Sequence, residues 1–279
     1  MVSAGALAAF LREALEAAGF DDAGFEAAQL MRIAGAPDAR LDARAPVPQE
    51  AAESAKALLR RRLAHEPLQY LAGEWDFWDF SLRVGPGVLI PRADTELCAM
   101  LAAQKARAAG PGARVADLCA GSGAIALGVA LHTDAKVTAV ELSGEAWRYL
   151  EENNRLYGSP LTLVRADVLR WNETLADGAF DVIVSNPPYV TEREYAALAP
   201  ELFAEPKMAL VAGQQGLAFY RHIAPGYARA LAAGGWLVFE IGETQAGDVT
   251  ALCRAAGYRD VAVHRDLAGQ CRCVCARRP

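Results

Sequence analysis

Apolar residues recur three and four apart at Leu7, Phe10, Leu11, Ala14, Leu15 and Ala18, between Ser3 and Gly19. That spacing predicts an amphipathic helix with a serine cap at its start and a glycine stop at its end. A second such pattern covers 25–33, and after the proline-bearing stretch 42–48 a third covers 48–64, with charges on its outer side. Residues 1–72 are therefore expected to form a small helical domain. From Gly73 the texture changes to Trp75, Phe77, Trp78 and Phe80, then Ser81 to Val84, a turn at Gly85-Pro86-Gly87, and Val88-Leu89-Ile90. This predicts a β-hairpin linker over 73–90, with its aromatics in an inter-domain core. Over 91–279, helical stretches alternate with short apolar runs at 114–118, 136–140, 161–164, 180–185, 235–241, 261–264 and 271–276. Alternation of that kind predicts an α/β domain, a twisted and mostly parallel sheet with helices on both faces.

Composition narrows the functional classes. The 279 residues are 53% hydrophobic and 22% charged, and 28 Lys+Arg against 34 Asp+Glu leave a net charge of −6. A stand-alone nucleic-acid binder normally carries a basic footprint, so stable nucleic-acid binding is not expected. No apolar run approaches the roughly 18–20 residues of a membrane span, and the first residues lack a basic region followed by an apolar block. A cytoplasmic location without membrane contact is the expectation. The six cysteines, at 98, 119, 253, 271, 273 and 275, are spaced irregularly and are expected to be reduced.

Residues 115–126 read as a strand, a tight turn at Gly121-Ser122-Gly123 and a helix start, the arrangement that lets a nucleotide-like ligand approach backbone N–H groups. Glu141 ends the next strand, twenty residues after Gly121, where a carboxylate can accept both ribose hydroxyls. The turn alone serves a nicotinamide dinucleotide or S-adenosylmethionine equally. Charge separates them: Asp117 would repel a pyrophosphate but favour the sulfonium and ammonium of S-adenosylmethionine. Asp167, after the third strand, would fall near the adenine.

Asn186-Pro187-Pro188-Tyr189 follows the buried run 181–185, at the carboxyl end of a strand, where open α/β sheets bind ligands. The prolines stiffen this corner, so the Asn186 side-chain oxygen and Pro187 carbonyl can each accept one N–H of a planar –NH2 group. Tyr189 is expected to wall the pocket with its ring. An amide nitrogen is a poor nucleophile, and acceptors that tighten as positive charge grows on it favour the transition state. A nicotinamide oxidoreductase gives this tetrapeptide no role.

Together these segments resemble the PrmC/HemK family, the protein-(glutamine-N5) methyltransferases of peptide-chain release factors. The resemblance runs through Gln69 to Glu74, Trp75-Asp76-Phe77, Leu89 to Glu96, the loop 117–127, Asn186 to Tyr189, Glu205-Pro206 with Ala209-Leu210, and Glu240-Ile241-Gly242. It implies a class I (Rossmann-like) methyltransferase sheet over 91–279, with the helices of 1–72 docking a release factor as protein substrate. It also implies methylation of the glutamine in a Gly-Gly-Gln motif. S-adenosylmethionine contacts would fall on Cys119, Ala120, Gly121, Ser122, Gly123, Glu141, Asp167, Val168 and Asn186, while Asn186, Pro187, Pro188 and Tyr189 hold the glutamine. The sequence departs from the usual pattern at Ala93 (proline), Cys119-Ala120 (often Gly-Thr) and Glu141 (commonly aspartate). The alternative is an adenine-N6 or other nucleic-acid amino methyltransferase, because adenine offers the same planar –NH2; the acidic balance argues against it.

Three other features are set aside. Cys271, Cys273 and Cys275 would point three thiols to one strand face, with His264 as a possible fourth metal ligand, but period-two burial explains the spacing and no metal is expected. The four histidines show no metal or triad spacing. Arg60, Arg61 and Arg62 are expected on solvated helix faces.

Overall fold

The computed structural model describes residues 2–279; Met1, the first residue of the expected helical domain, lies outside them. The chain divides into two compact units. One runs up to Glu74 and includes Ala199–Ala204; the other comprises Trp75–Leu198 and Glu205–Pro279.

The first unit holds α1 (Ala4–Ala17), α2 (Ala23–Ile33), α3 (Gln49–Leu63) and α4 (Leu68–Ala72). The Ser3 hydroxyl accepts the Ala6 N–H at 3.3 Å and starts α1, and Leu7, Leu11 and Leu15 are buried, as the spacing requires. Arg62 departs from its expected exposed position. It is only 4% exposed, and its guanidinium bonds Glu26 at 2.6 Å and Glu201 at 2.7 Å. Two carboxylates and the Glu66 carbonyl offset its desolvation. Glu201 belongs to the 199–204 segment, which no local pattern assigned to this unit.

At the start of the second unit, β1 (Glu74–Phe77), whose first residue is the last of the first unit's main segment, and β2 (Phe80–Arg83) form a two-stranded sheet of their own. The connection between them falls at Trp78-Asp79, not at Gly85-Pro86-Gly87, and Val88 to Ile90 are not a strand. The cause is aromatic packing. Trp78 takes a positive φ of 56° and its ring stacks on His132 at 3.8 Å, while the Tyr157 hydroxyl donates to the Ser81 carbonyl at 2.6 Å. Trp75, Phe77, Trp78 and Phe80 pack into the core of this unit, where the sequence suggested an inter-domain core.

The rest follows in the order α5 (Ala93–Ala109), β3 (Arg114–Leu118), α6 (Ala124–His132), β4 (Lys136–Glu141), α7 (Gly144–Leu156), β5 (Leu161–Arg165), α8 (Val168–Trp171), β6 (Phe180–Ser185), α9 (Glu192–Tyr195), α10 (Lys207–Leu210), α11 (Ala218–Gly226), β7 (Leu231–Glu240), α12 (Ala246–Ala255), β8 (Arg259–Arg265) and β9 (Cys271–Arg277). Seven strands make one sheet in the order β5-β4-β3-β6-β7-β9-β8. The first five are parallel, and β9 is antiparallel to both neighbours. Strand residues alternate between two cores. Val115, Val182, Val184 and Val238 meet α5, α6 and α7 on one face, whereas Ala116, Ile183, Leu237 and Phe239 meet α11 and α12 on the other. Cys273 and Cys275 enter the first core, but Cys271 packs on the second, because the β8–β9 register shifts between His264 and Arg265. Their side chains thus do not share one face as the spacing suggested. No helix of the described residues is long and apolar enough to cross a membrane.

Candidate active site

The chain leaves β3 towards β4 on one side and reaches β6 on the other, so the β3–β6 pair is the point where the strand order reverses. Loops at the carboxyl ends of such a pair diverge and leave a crevice. The glycine turn follows β3 and Asn186 follows β6, so the topology brings the two motifs together. The Ser185 hydroxyl donates to the Leu118 carbonyl at 2.7 Å and ties the two strand ends.

A cavity of about 200 Å³ opens there, lined by Cys119, Gly121, Glu141, Asp167, Val168, Asn186 and Pro188 from the expected set. A narrower pocket of about 40 Å³ takes in Asp117, Ala120 and Ser122, with Cys119, Gly121 and Asn186 common to both. Gly123, Pro187 and Tyr189 are not among the lining residues. Gly123 is the N-cap of α6 at φ +89°, where a Cβ would stand 2.8 Å from Leu150 Cδ1. It serves helix placement. The Tyr189 ring packs towards Gly242 and joins the second core, and burial raises the pKa of its hydroxyl.

Two carboxylates define the cavity's electrostatics. Glu141 accepts the Gly121 N–H at 2.8 Å on one oxygen and the Leu142 and Ser143 N–H groups at 2.8 and 2.6 Å on the other. It bridges the glycine turn and the start of α7, and the oxygen that meets Gly121 keeps acceptor capacity for a hydroxyl. Asp117 is 1% exposed; one oxygen accepts the Ala126 N–H at 3.0 Å, while Oδ1 has no partner in the protein. Desolvation, reinforced by the charge of Glu141, raises its pKa to about 8. A buried carboxyl with an orphaned oxygen beside a cavity suits a cationic group, whose charge would offset the cost of ionising it there, and Glu141 suits a sugar hydroxyl. Leu142, Leu169 and Phe219 supply apolar wall for an aromatic base, and Asp167 stands at its edge, with Oδ1 accepting the Leu169 N–H at 2.9 Å. The residues present therefore fit S-adenosylmethionine.

The wall residues Pro206, Met208, Ala209 and Phe219 were not singled out as site residues. Pro206 and Ala209 lie in the segment that carried the resemblance; Phe219 sits in an amphipathic helix, where its spacing reads only as packing.

The corner after β6 is held by its backbone. The Leu210 carbonyl accepts the N–H groups of Tyr189 and Val190 at 3.1 and 2.9 Å, and Gln245 Nε2 donates to the Tyr189 carbonyl at 3.1 Å. Gly216 lies against that carbonyl at φ +79°, and a Cβ there would come within 2.2 Å of it. Gly216→Ala is accordingly expected to cost about 2 kcal/mol or more. A fall in Tm together with lowered turnover, assayed on the same preparation, would check it.

Comparison with known proteins agrees with this geometry. The family model described as PrmC N-terminal domain matches residues 7–73, and that of the methyltransferase small domain matches 95–225. A structure of a methyltransferase from Pyrococcus furiosus aligns with a TM-score of 0.52 at 19% identity, covering 81% of this chain and 98% of that one, and shows the same fold. The release factor glutamine methyltransferase of Vibrio cholerae is 40% identical over 223 residues, 78% of this chain and 76% of its own. That of Cereibacter sphaeroides is 40% identical over 272 residues, 95% of each.

The chain belongs to the release factor glutamine methyltransferase family. Membership gives one departure in the glycine loop a physical meaning. Cys119, where the family often has glycine, sits at φ +64°, a region costly for a residue with a Cβ. Its thiol is no nucleophile: burial, with Glu141 and Asp117 nearby, holds its pKa well above the ordinary range.

Proposed function

We propose that this protein transfers a methyl group from S-adenosylmethionine to the side-chain amide nitrogen of the glutamine in the Gly-Gly-Gln motif of peptide chain release factors. In this reading 1–72 docks the protein substrate, 73–90 connects, and 91–279 performs the transfer. Acting on the translation machinery implies a cytoplasmic enzyme. The observation that carries the reading is that Asn186 lines both pockets together with Cys119 and Gly121 of the glycine turn, in a chain of this family.

When bound, S-adenosylmethionine supplies an electrophilic methyl carbon on a positively charged sulfur. Glu141 holds a ribose hydroxyl, Asp117 the ammonium, and the Asp167-Val168 corner the adenine. Asn186 Oδ1 and the Pro187 carbonyl each accept one N–H of the glutamine amide, turning the face of its nitrogen towards the methyl carbon for in-line attack. Transfer would break the bond from sulfur to the methyl carbon, its electron pair staying on sulfur to leave a neutral thioether, and the positive charge that would then grow on nitrogen would tighten both acceptors. No strong base is needed, because the proton becomes acidic only then and leaves to water. Pro188 contributes shape to the wall, and Tyr189 anchors the corner through its buried ring.

Mass spectrometry of a release factor incubated with the enzyme and S-adenosylmethionine tests this. A gain of one methyl on the Gly-Gly-Gln peptide is expected, and its absence refutes the assignment. Transfer to adenine in DNA or RNA would favour the nucleic-acid alternative.

A further inference from the structure

An asparagine amide has an accepting end and a donating end of nearly equal size, and only the accepting end helps a substrate –NH2. The stiffness of the corner does not choose between them. The choice is made by what Asn186 meets beside it, where Thr95 and Asn186 line the narrower pocket together. Glu240 ends β7, one step beyond the Ser185–Phe239 pair, and is only 2% exposed. Its carboxylate neighbours the Thr95 hydroxyl and the Asn186 amide, both of which favour its anion, and its Oε2 has no hydrogen-bond partner. Asn186 Nδ2 also donates to Thr95 Oγ1 at 3.4 Å. With its oxygen accepting from Asn186, the single hydroxyl proton of Thr95 is free to meet Glu240, and both neighbours call for the donating end of the amide.

We propose that Glu240 is a positioning residue which, directly and through Thr95, fixes the Asn186 amide so that its oxygen faces the substrate. The proposal rests on the role given to Asn186 above. An ionised carboxylate only accepts, so it holds Nδ2 and leaves Oδ1 to the cavity. A protonated one can donate to Oδ1, and the amide then turns Nδ2 towards the substrate, replacing attraction by repulsion. The groups around Glu240 set when this happens. Arg272 of β9 favours the anion but is shared with Asp94 at 3.1 Å and Asp266 at 3.1 Å. Tyr189, Tyr220 and Cys98 of α5 are neutral neighbours at pH 7, each held protonated by burial, and Cys273 pairs with Glu240 from β9. Burial prevails and raises the Glu240 pKa to about 7.

The test compares wild type, Glu240→Gln and Thr95→Val for kcat, KM for the release factor and cofactor Kd between pH 6 and 9, at saturating cofactor. Wild-type kcat is expected to fall about tenfold per pH unit below 7 and to level off above it. Glu240→Gln is expected to lose at least tenfold in kcat at pH 8, with a flat profile below it and a cofactor Kd within twofold of wild type. Thr95→Val is expected to lose several-fold while keeping the acid limb. An unchanged kcat or unchanged acid limb in Glu240→Gln overturns the proposal, as does a parallel loss of cofactor affinity, which marks a merely structural role. If Glu240→Gln does not fold, Thr95→Val with wild-type kcat overturns it. A wild type that leaves release-factor glutamine unmethylated refutes the proposed function itself, a result separate from any variant.

Discussion

Asn186→Ala is expected to lower kcat by about 10²–10³-fold while cofactor Kd stays within a few-fold. The asymmetry follows from what the side chain touches. The cofactor side of the cavity is held by Glu141, Asp117 and the turn at Gly121, none of which depends on Asn186 for its position. The substrate amide, by contrast, loses an acceptor whose hydrogen bond strengthens only as nitrogen becomes positive. Removing such a group raises the barrier more than it weakens binding. Single-turnover rates with release factor, set beside calorimetric titration of the cofactor, separate the two effects. Equal loss in both would mark Asn186 as part of the scaffold.

Asp117→Asn is expected to weaken cofactor binding about 100-fold at pH 8 and to stabilise the cofactor-free protein at the same pH. Both effects come from one buried oxygen without a partner. With its folded pKa raised to about 8 from the ordinary 3.8, Asp117 keeps a proton between those values that the unfolded chain has lost. Its contribution to stability therefore falls as pH rises through that interval, and above 8 the full cost of a buried anion is present. Asparagine never ionises and escapes the cost. The bound ammonium, in turn, favours the anion, so binding releases a proton and wild-type affinity rises with pH until about 8, while that of Asp117→Asn stays flat. Calorimetry in buffers of different ionisation enthalpy counts the proton, and thermal melts from pH 5 to 9 measure the stability. Because Glu240 also titrates upward from its ordinary value, the variant should retain a shallower fall between about 4.5 and 7. A Kd within threefold of wild type would refute the role given to Asp117.

These two residues also mark how far the sequence could be read. All seven strands of the main sheet were legible as short apolar runs, most of them buried and set between helices, although β8 is largely exposed, and Asn186 was legible because prolines after a buried strand have few other uses. The turn of the β1–β2 hairpin was misplaced because Gly85-Pro86-Gly87 is a strong local signal, whereas the stacking of Trp78 on His132 is a contact between residues 54 positions apart. Arg62 was misread for the same reason, since its partners Glu26 and Glu201 are distant along the chain. Asp117 was noticed for its charge, but its missing partner is visible only in three dimensions. Glu240 was quoted as part of the family resemblance without a role, because a carboxylate at the end of a strand carries no local sign of what lies across the sheet from it.

The placement of β9 bears on how the protein is made. Residues 271–277 run between β7 and β8, so until that segment is present β8 has no partner strand and β7 is paired on its β6 side alone. A nascent chain still threaded through the ribosome can assemble β3 to β7, but it exposes the hydrogen-bonding edge of β7 until Arg277 has cleared the exit tunnel. A premature stop upstream of Cys271 would make that exposure permanent and yield a product prone to self-association.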